Sequence, residues 1–202
     1  MENMKLLLAT NNQNKLREIR EMLESTGVSV ISQSEAGIAC EVEENGTTFA
    51  ENAAIKAEAI WALAAAGGQH CYVLADDSGL SVDALNGEPG VYSHRWAGEN
   101  ATDADRILKM LSVMKKVPDG ERGAHFACCM CLIEPNGEKH HFEGKVEGTI
   151  LHEARGTNGF GYDPVFGYGD KSFAELSADE KNAVSHRHNA LKQVLDYFRS
   201  VR

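Results

Sequence analysis

A chain of 202 residues, 43% of them hydrophobic, can bury one substantial core or the cores of two small lobes with no added scaffold. Its 30 acidic and 20 basic residues give a formal charge of −10, a surface that repels nucleic acid and anionic membranes on average yet leaves room for a local anion pocket. No apolar run reaches the about 18 residues of a membrane span and no long apolar signal core opens the chain, so the expectation is a soluble, cytoplasmic protein.

In chain order, "LLLATNNQNKLREIREML" begins with Leu6, Leu7, Leu8 and Ala9, which suit a buried strand. Leu16, Ile19 and Leu23 then recur on one helical face. Thr10 to Asn14 form the strand-to-helix turn, with Asn14 as the expected cap and Lys15 beside it. Helical N–H groups and an ammonium there can face one anion, although an ordinary capped surface helix has the same pattern. Neither GxxxxGK[ST] nor GxGxxG is present. "VSVISQSE" predicts a short extended segment. Thr48 and Glu51 have capping-box spacing ahead of an alanine-rich helix that Gly67 and Gly68 stop.

"CYVLADDSGLSVDAL" predicts a buried strand that delivers Asp76 and Asp77 to its end, with a turn at Ser78–Gly79. Successive strand residues point to opposite faces, which assigns one of the two acids to chemistry and the other to structure. Thr102 and Asp105 form a second capping box before a helix carrying Ile107, Leu108, Leu111 and Met114. Asn136–Gly137 predicts a hairpin turn, and Gly144 and Gly148 set off a further short strand. The tail carries helical periodicity through Leu191, Leu195 and Phe198. The five cysteines form no CxxC pair and are expected to be free thiols. Alternating helices and strands around a hairpin indicate an α/β fold: a mixed twisted sheet flanked by helices, in two lobes with a cleft, as one domain over residues 1–202.

Three sets of residues can carry chemistry. Glu43 and Glu44, ahead of the second helix, can meet Asp77 around Mg²⁺ through hard oxygen ligands, or form a solvated acidic turn. "GTNGFGYDPVFGYG" pairs permissive glycines with Phe160 and Tyr162 as flat surfaces and Asp163 as a polar edge, or is a rigid aromatic turn. Lys56, Lys181, His186 and Arg187 add donors to an acidic chain.

Taken in order, "TNNQNK", "EENGTTFAENAAIKA", "ADDSGL", "GTNGFGYDPVF" and "EKNAVSHR" resemble the inosine triphosphate pyrophosphatase family, also called HAM1-like, over nearly the whole chain. The resemblance implies a homodimeric α/β enzyme with an elongated mixed sheet and a central nucleotide cleft. It implies Mg²⁺-dependent hydrolysis of ITP, dITP and XTP to the monophosphate and pyrophosphate, which removes non-standard purines from the nucleotide pool. By that resemblance Thr10, Asn11, Asn12, Gln13, Asn14, Lys15 and Lys56 contact phosphate and Ser78 contacts substrate. Asp77 is the catalytic acid and metal ligand, with Glu44 as preferred partner and Glu43 as its rival. Phe160, Gly161, Tyr162 and Asp163 surround the nucleoside, Lys181 lies near the substrate, and His186 and Arg187 lie at the base. A Maf-like nucleotide pyrophosphatase and a catalytically silent nucleotide sensor are the alternatives.

Overall fold

A computed structural model describes residues 4–201. The chain divides into two compact units: one takes the residues up to Asp77, Cys128–Gly144 and those from Arg187 on, and the other takes Ser78–Ala127 and Lys145–His186.

In the first unit β1 (Met4–Leu8) leads into α1 (Gln13–Leu23), β2 (Val28–Ser32) and α2 (Phe49–Ala66). It also holds the first part of β3 (Tyr72–Val82), the ends of β4 (Gly123–Ile133) and β5 (Lys139–Ile150) that meet at their hairpin, and nearly all of α5 (His186–Ser200). Strand order here is β2-β1-β3-β4-β5, and β1 runs parallel to both β2 and β3. Alternation along β1 separates two apolar layers. Leu6 and Leu8 pack with Leu16, Ile19, Leu23, Leu191 and Phe198, while Leu7 packs with Ala53, Ala57 and Ile60 of α2. Alanines at the α2 contact hold that helix close to the sheet.

The second unit holds α3 (Asp103–Val113), the remainders of β3, β4 and β5, then β6 (Phe166–Tyr168), β7 (Lys171–Ser172) and α4 (Ala178–Val184). Its strand order is β3-β4-β5-β6-β7, and β6 is antiparallel to both of its neighbours. Leu80, Val82, Met110, Met114, Phe126, Phe166 and Phe173 form its core. Arg122 is buried, and its guanidinium donates to the carbonyl oxygens of Met114, Val117, Ile150 and Leu151 at 2.6–3.0 Å, tying the segment after α3 to the end of β5.

Both expected capping boxes are present, at Thr48/Glu51 and Thr102/Asp105, and Asn136–Gly137 sits at the turn between β4 and β5. All five cysteines are free. Among the described residues no helix is long and apolar enough to cross a membrane. Three local expectations are corrected. The cap of α1 is Asn12, whose side chain accepts from the N–H groups of Asn14 and Lys15, so the helix starts earlier than an Asn14 cap allows. No turn interrupts β3 at Ser78–Gly79. The strand continues to Val82 because Leu80 and Val82, both fully buried, carry on its apolar face. Gly144 and Gly148 likewise lie inside an unbroken β5. At Gly148 a Cβ would collide with the Phe166 ring and the Gly167 carbonyl, so glycine serves the close approach of β6 there and not a break.

Candidate active site

Asp76 and Asp77 leave β3 toward different partners. Asp76, 1% exposed, has Oδ2 at 3.0 Å from Lys15 Nζ and at 3.2 Å from Arg187 Nη2. Arg187, equally buried, also donates from Nη1 to Glu18 of α1. Burial alone works against the charge on Arg187, but Asp76 and Glu18 outweigh it and hold its pKa above the usual arginine value. Two cations and two carboxylates thus compensate one another in the interior, and removing any one would strand the rest.

Asp77, 8% exposed, receives a 3.0 Å hydrogen bond from Asn52 Nδ2 and has Lys56 Nζ at 3.8 Å from its other oxygen. Lys56 also pairs with Glu44 Oε2 at 2.9 Å, so Asp77 and Glu44 share one ammonium. Burial raises the Asp77 pKa, and Glu44 adds to the rise. Lys56, Lys15 and Asn52 oppose it without cancelling it. Burial disfavours the Lys56 charge as well, but Asp77, Asp76 and Glu44 outweigh it and raise its pKa. The arrangement is a desolvated carboxylate, more basic than a surface aspartate, held in a fixed orientation beside a cation.

The other residues expected in this unit have plainer surroundings. Thr10 Oγ1 accepts from the Asn12 N–H at 3.1 Å, and the exposed Asn11 reaches the Cys40 carbonyl at 3.4 Å. Gln13 is the exposed first residue of α1, and Asn14 Oδ1 accepts from Arg17 at 3.3 Å. Two N–H groups that were expected to face an anion therefore already bond to Asn12 Oδ1. Glu43 is exposed, and Glu44 is the acid that joins the Lys56 pair. Among the described residues no three His, Cys, Asp or Glu side chains form a cation-holding cluster. Glu44 and Asp77 nonetheless fit Mg²⁺, because that ion takes one or two carboxylates and fills its other positions with water and phosphate.

In the second unit, Asp163 Oδ2 accepts from Lys181 Nζ at 2.6 Å and from the Phe160 N–H at 2.9 Å. Gly159 has φ +75°, and a Cβ there would collide with the Asp163 carboxylate, so glycine is required for this closed turn. The Phe160 ring is half-buried with Lys181 Nζ 4.8 Å from its centroid, which gives it a cationic neighbour. Tyr162 differs from the expected flat surface: it is 3% exposed, donates to the Ser93 carbonyl at 2.9 Å, and is raised in pKa by burial. It is an anchor of the loop. His186 stacks on Phe126 at 4.9 Å between centroids. Ser78 is half-buried in β3.

Sequence reasoning passed over two residues. Asn52 bonds both Asp77 and, through Oδ1, the Gly46 N–H at 2.8 Å. Its signal was its position one helical turn before Lys56, which puts both on one face of α2. Glu18 is a buried acid on α1 with no sequence mark that separates it from its exposed neighbours.

Comparison with known proteins bears on what these clusters serve. The profile of the Ham1 family matches residues 6–197. The chain is 49% identical to the dITP/XTP pyrophosphatase of Desulforamulus reducens, over 96% of this chain and 94% of that protein. It is 47% identical to that of Bacillus subtilis, over 93% of each. Among solved structures, the Ham1 protein of Staphylococcus aureus superposes with a TM-score of 0.84 at 40% identity, covering 98% of this chain and all of that one. A HAM1 protein from Coxiella burnetii does so with the same TM-score at 42% identity, over 98% of this chain and 99% of its own.

Proposed function

The chain belongs to the Ham1 family, and on that premise we propose that it is a dITP/XTP pyrophosphatase, a hydrolase that converts dITP, XTP and ITP to the nucleoside monophosphate and pyrophosphate. The observation that carries this reading is Asp77: a buried carboxylate of raised pKa, oriented by Asn52 and set beside Lys56 and Glu44. Such a group is suited to take a proton from water as the oxygen attacks the α-phosphorus. The pyrophosphate leaving group carries away the electrons of the broken bond, and no covalent protein intermediate is required. Lys56 and Lys15 supply positive charge to the phosphates, and Thr10–Asn14 line the same end of the nucleotide. Glu44 and Asp77 would hold Mg²⁺, which when bound supplies charge neutralisation at phosphate oxygens. Phe160, Gly161 and Asp163, with Lys181 and His186, take the nucleoside. Tyr162 anchors their loop through the Ser93 carbonyl, Ser78 contacts the substrate, and Arg187 acts through Asp76.

The same reading makes the whole chain one catalytic domain, a cytoplasmic homodimer with no nucleic-acid partner, that clears non-standard purines from the nucleotide pool. The test is product analysis. Purified protein with Mg²⁺ and dITP or XTP should release the monophosphate and pyrophosphate. Release of a nucleoside diphosphate and orthophosphate would place the cleavage at the wrong bond and overturn the proposal.

A further inference from the structure

The loop Gly156–Asp163 is fastened at successive residues. The Phe160 N–H bonds Asp163, and the Tyr162 hydroxyl bonds the Ser93 carbonyl. Between them, the Gly161 N–H donates to Asp103 Oδ2 at 2.8 Å. Gly161 has φ +63°, and nothing lies within 4 Å of where its Cβ would be. Glycine is needed there for conformation alone, and the peptide after Phe160 is held at both ends: by this bond at its N–H, and at its carbonyl by the Asp163 N–H at 3.3 Å. Asp103 is itself held, because Arg106 Nη1 pairs with its other oxygen. The Arg106 guanidinium is fixed in turn by the carbonyls of His94 at 2.6 Å and Ala101 at 2.7 Å.

We propose that Asp103 is a positioning residue for nucleobase selection: clamped by Arg106, its carboxylate fixes the Gly161 peptide and so the plane of the adjoining Phe160 ring. The inference rests on the reading that Phe160 meets the nucleoside. With the Asp103 acceptor gone, the peptide keeps the longer contact from the Asp163 N–H but loses its shorter, charge-assisted one. The chain can then pivot at Gly159 and Gly161, both in the left-handed region, and the ring meets the base in a wider range of orientations. Asp103 bonds Gly161 and Arg106 and is not among the residues assigned to the phosphates or to proton transfer, so its loss should act on base recognition and leave the hydrolytic step alone.

The experiment compares Asp103→Ala with Asp105→Ala, which breaks the Thr102 capping box of the same helix without a bond to the loop. Steady-state kinetics on dITP and dATP are read together with circular dichroism. Asp103→Ala should lose about tenfold in kcat/KM for dITP, the worth of one charge-assisted hydrogen bond. The loss should fall mainly in KM, and the preference for dITP over dATP should narrow by a similar factor. Asp105→Ala should keep the wild-type preference. If Asp103→Ala folds poorly, Asp103→Asn should give the same narrowing in part, because one of its two contacts becomes an N–H facing a donor. An unchanged preference, or an equal loss for both nucleotides, overturns the inference. Wild-type protein that fails to turn over dITP or XTP instead refutes the underlying function.

Discussion

Asp76 and Asp77 are adjacent in sequence and meet different partners, and the difference predicts two kinds of damage. Asp77→Asn keeps size and the Asn52 neighbour but removes the proton acceptor. Turnover of dITP should fall by about 10²- to 10⁴-fold while far-ultraviolet circular dichroism stays as in wild type. Asp76→Asn removes the anion that faces Lys15 and Arg187 in the interior. Its main cost should be stability, about 3–5 kcal/mol in urea unfolding, with a smaller fall in kcat for the fraction that remains folded. Near-wild-type turnover for Asp77→Asn would remove it from the mechanism. Unaltered stability for Asp76→Asn would show that the buried network does not need it. The alternation rule already implied different surroundings for the two acids. It could not identify the partners, because Arg187 lies 111 residues from Asp76 and Glu18 lies 169 from Arg187 in sequence.

At the scale of elements, the helix starts follow simple local chemistry. Backbone N–H groups of Thr47 and Thr48, with the Thr47 hydroxyl, hold the Glu51 carboxyl below its usual value of 4.5. Thr102 does the same for Asp105 below 3.8, through its hydroxyl and its N–H. Each folded value lies below the unfolded one, so each acid contributes stability that is fully present above the unfolded value and lost as pH falls through the folded one. Glu51→Gln should therefore lower the melting temperature relative to wild type near neutral pH, and the gap should close as pH falls below 4.5. An equal gap at both ends of the titration would show that the charge contributes nothing. These boxes were legible because a cap is written within four consecutive residues. The extent of β3 was not: Ser78 and Gly79 favour turns locally, and only the burial of Leu80 and Val82 by distant chain keeps them extended. The buried partners of Tyr162 and Arg187 were hidden for the same reason: Ser93 lies 69 residues from Tyr162, and Asp76 lies 111 from Arg187.

For the whole molecule, the proposed homodimer predicts that sedimentation at working enzyme concentration should give twice the chain mass of 22.0 kDa, and a monomer would reject it. The division of the chain carries a consequence for synthesis. It passes between units at Asp77/Ser78, Ala127/Cys128, Gly144/Lys145 and His186/Arg187, so neither unit is a single uninterrupted stretch. The first unit draws Ala190, Leu191, Val194 and Phe198 of its core from α5, downstream of every other element, and Arg187 opens that same contribution. A nascent chain emerging from the ribosome can form β1, α1 and α2 early, yet Asp76 and Glu18 then stand without their arginine and the sheet without its last apolar cover. The first unit is completed only when α5 arrives. A premature stop codon anywhere before Arg187 would thus take the arginine from Asp76 and Glu18 and the α5 residues from the core, leaving a substrate for quality-control proteolysis and not a shortened enzyme.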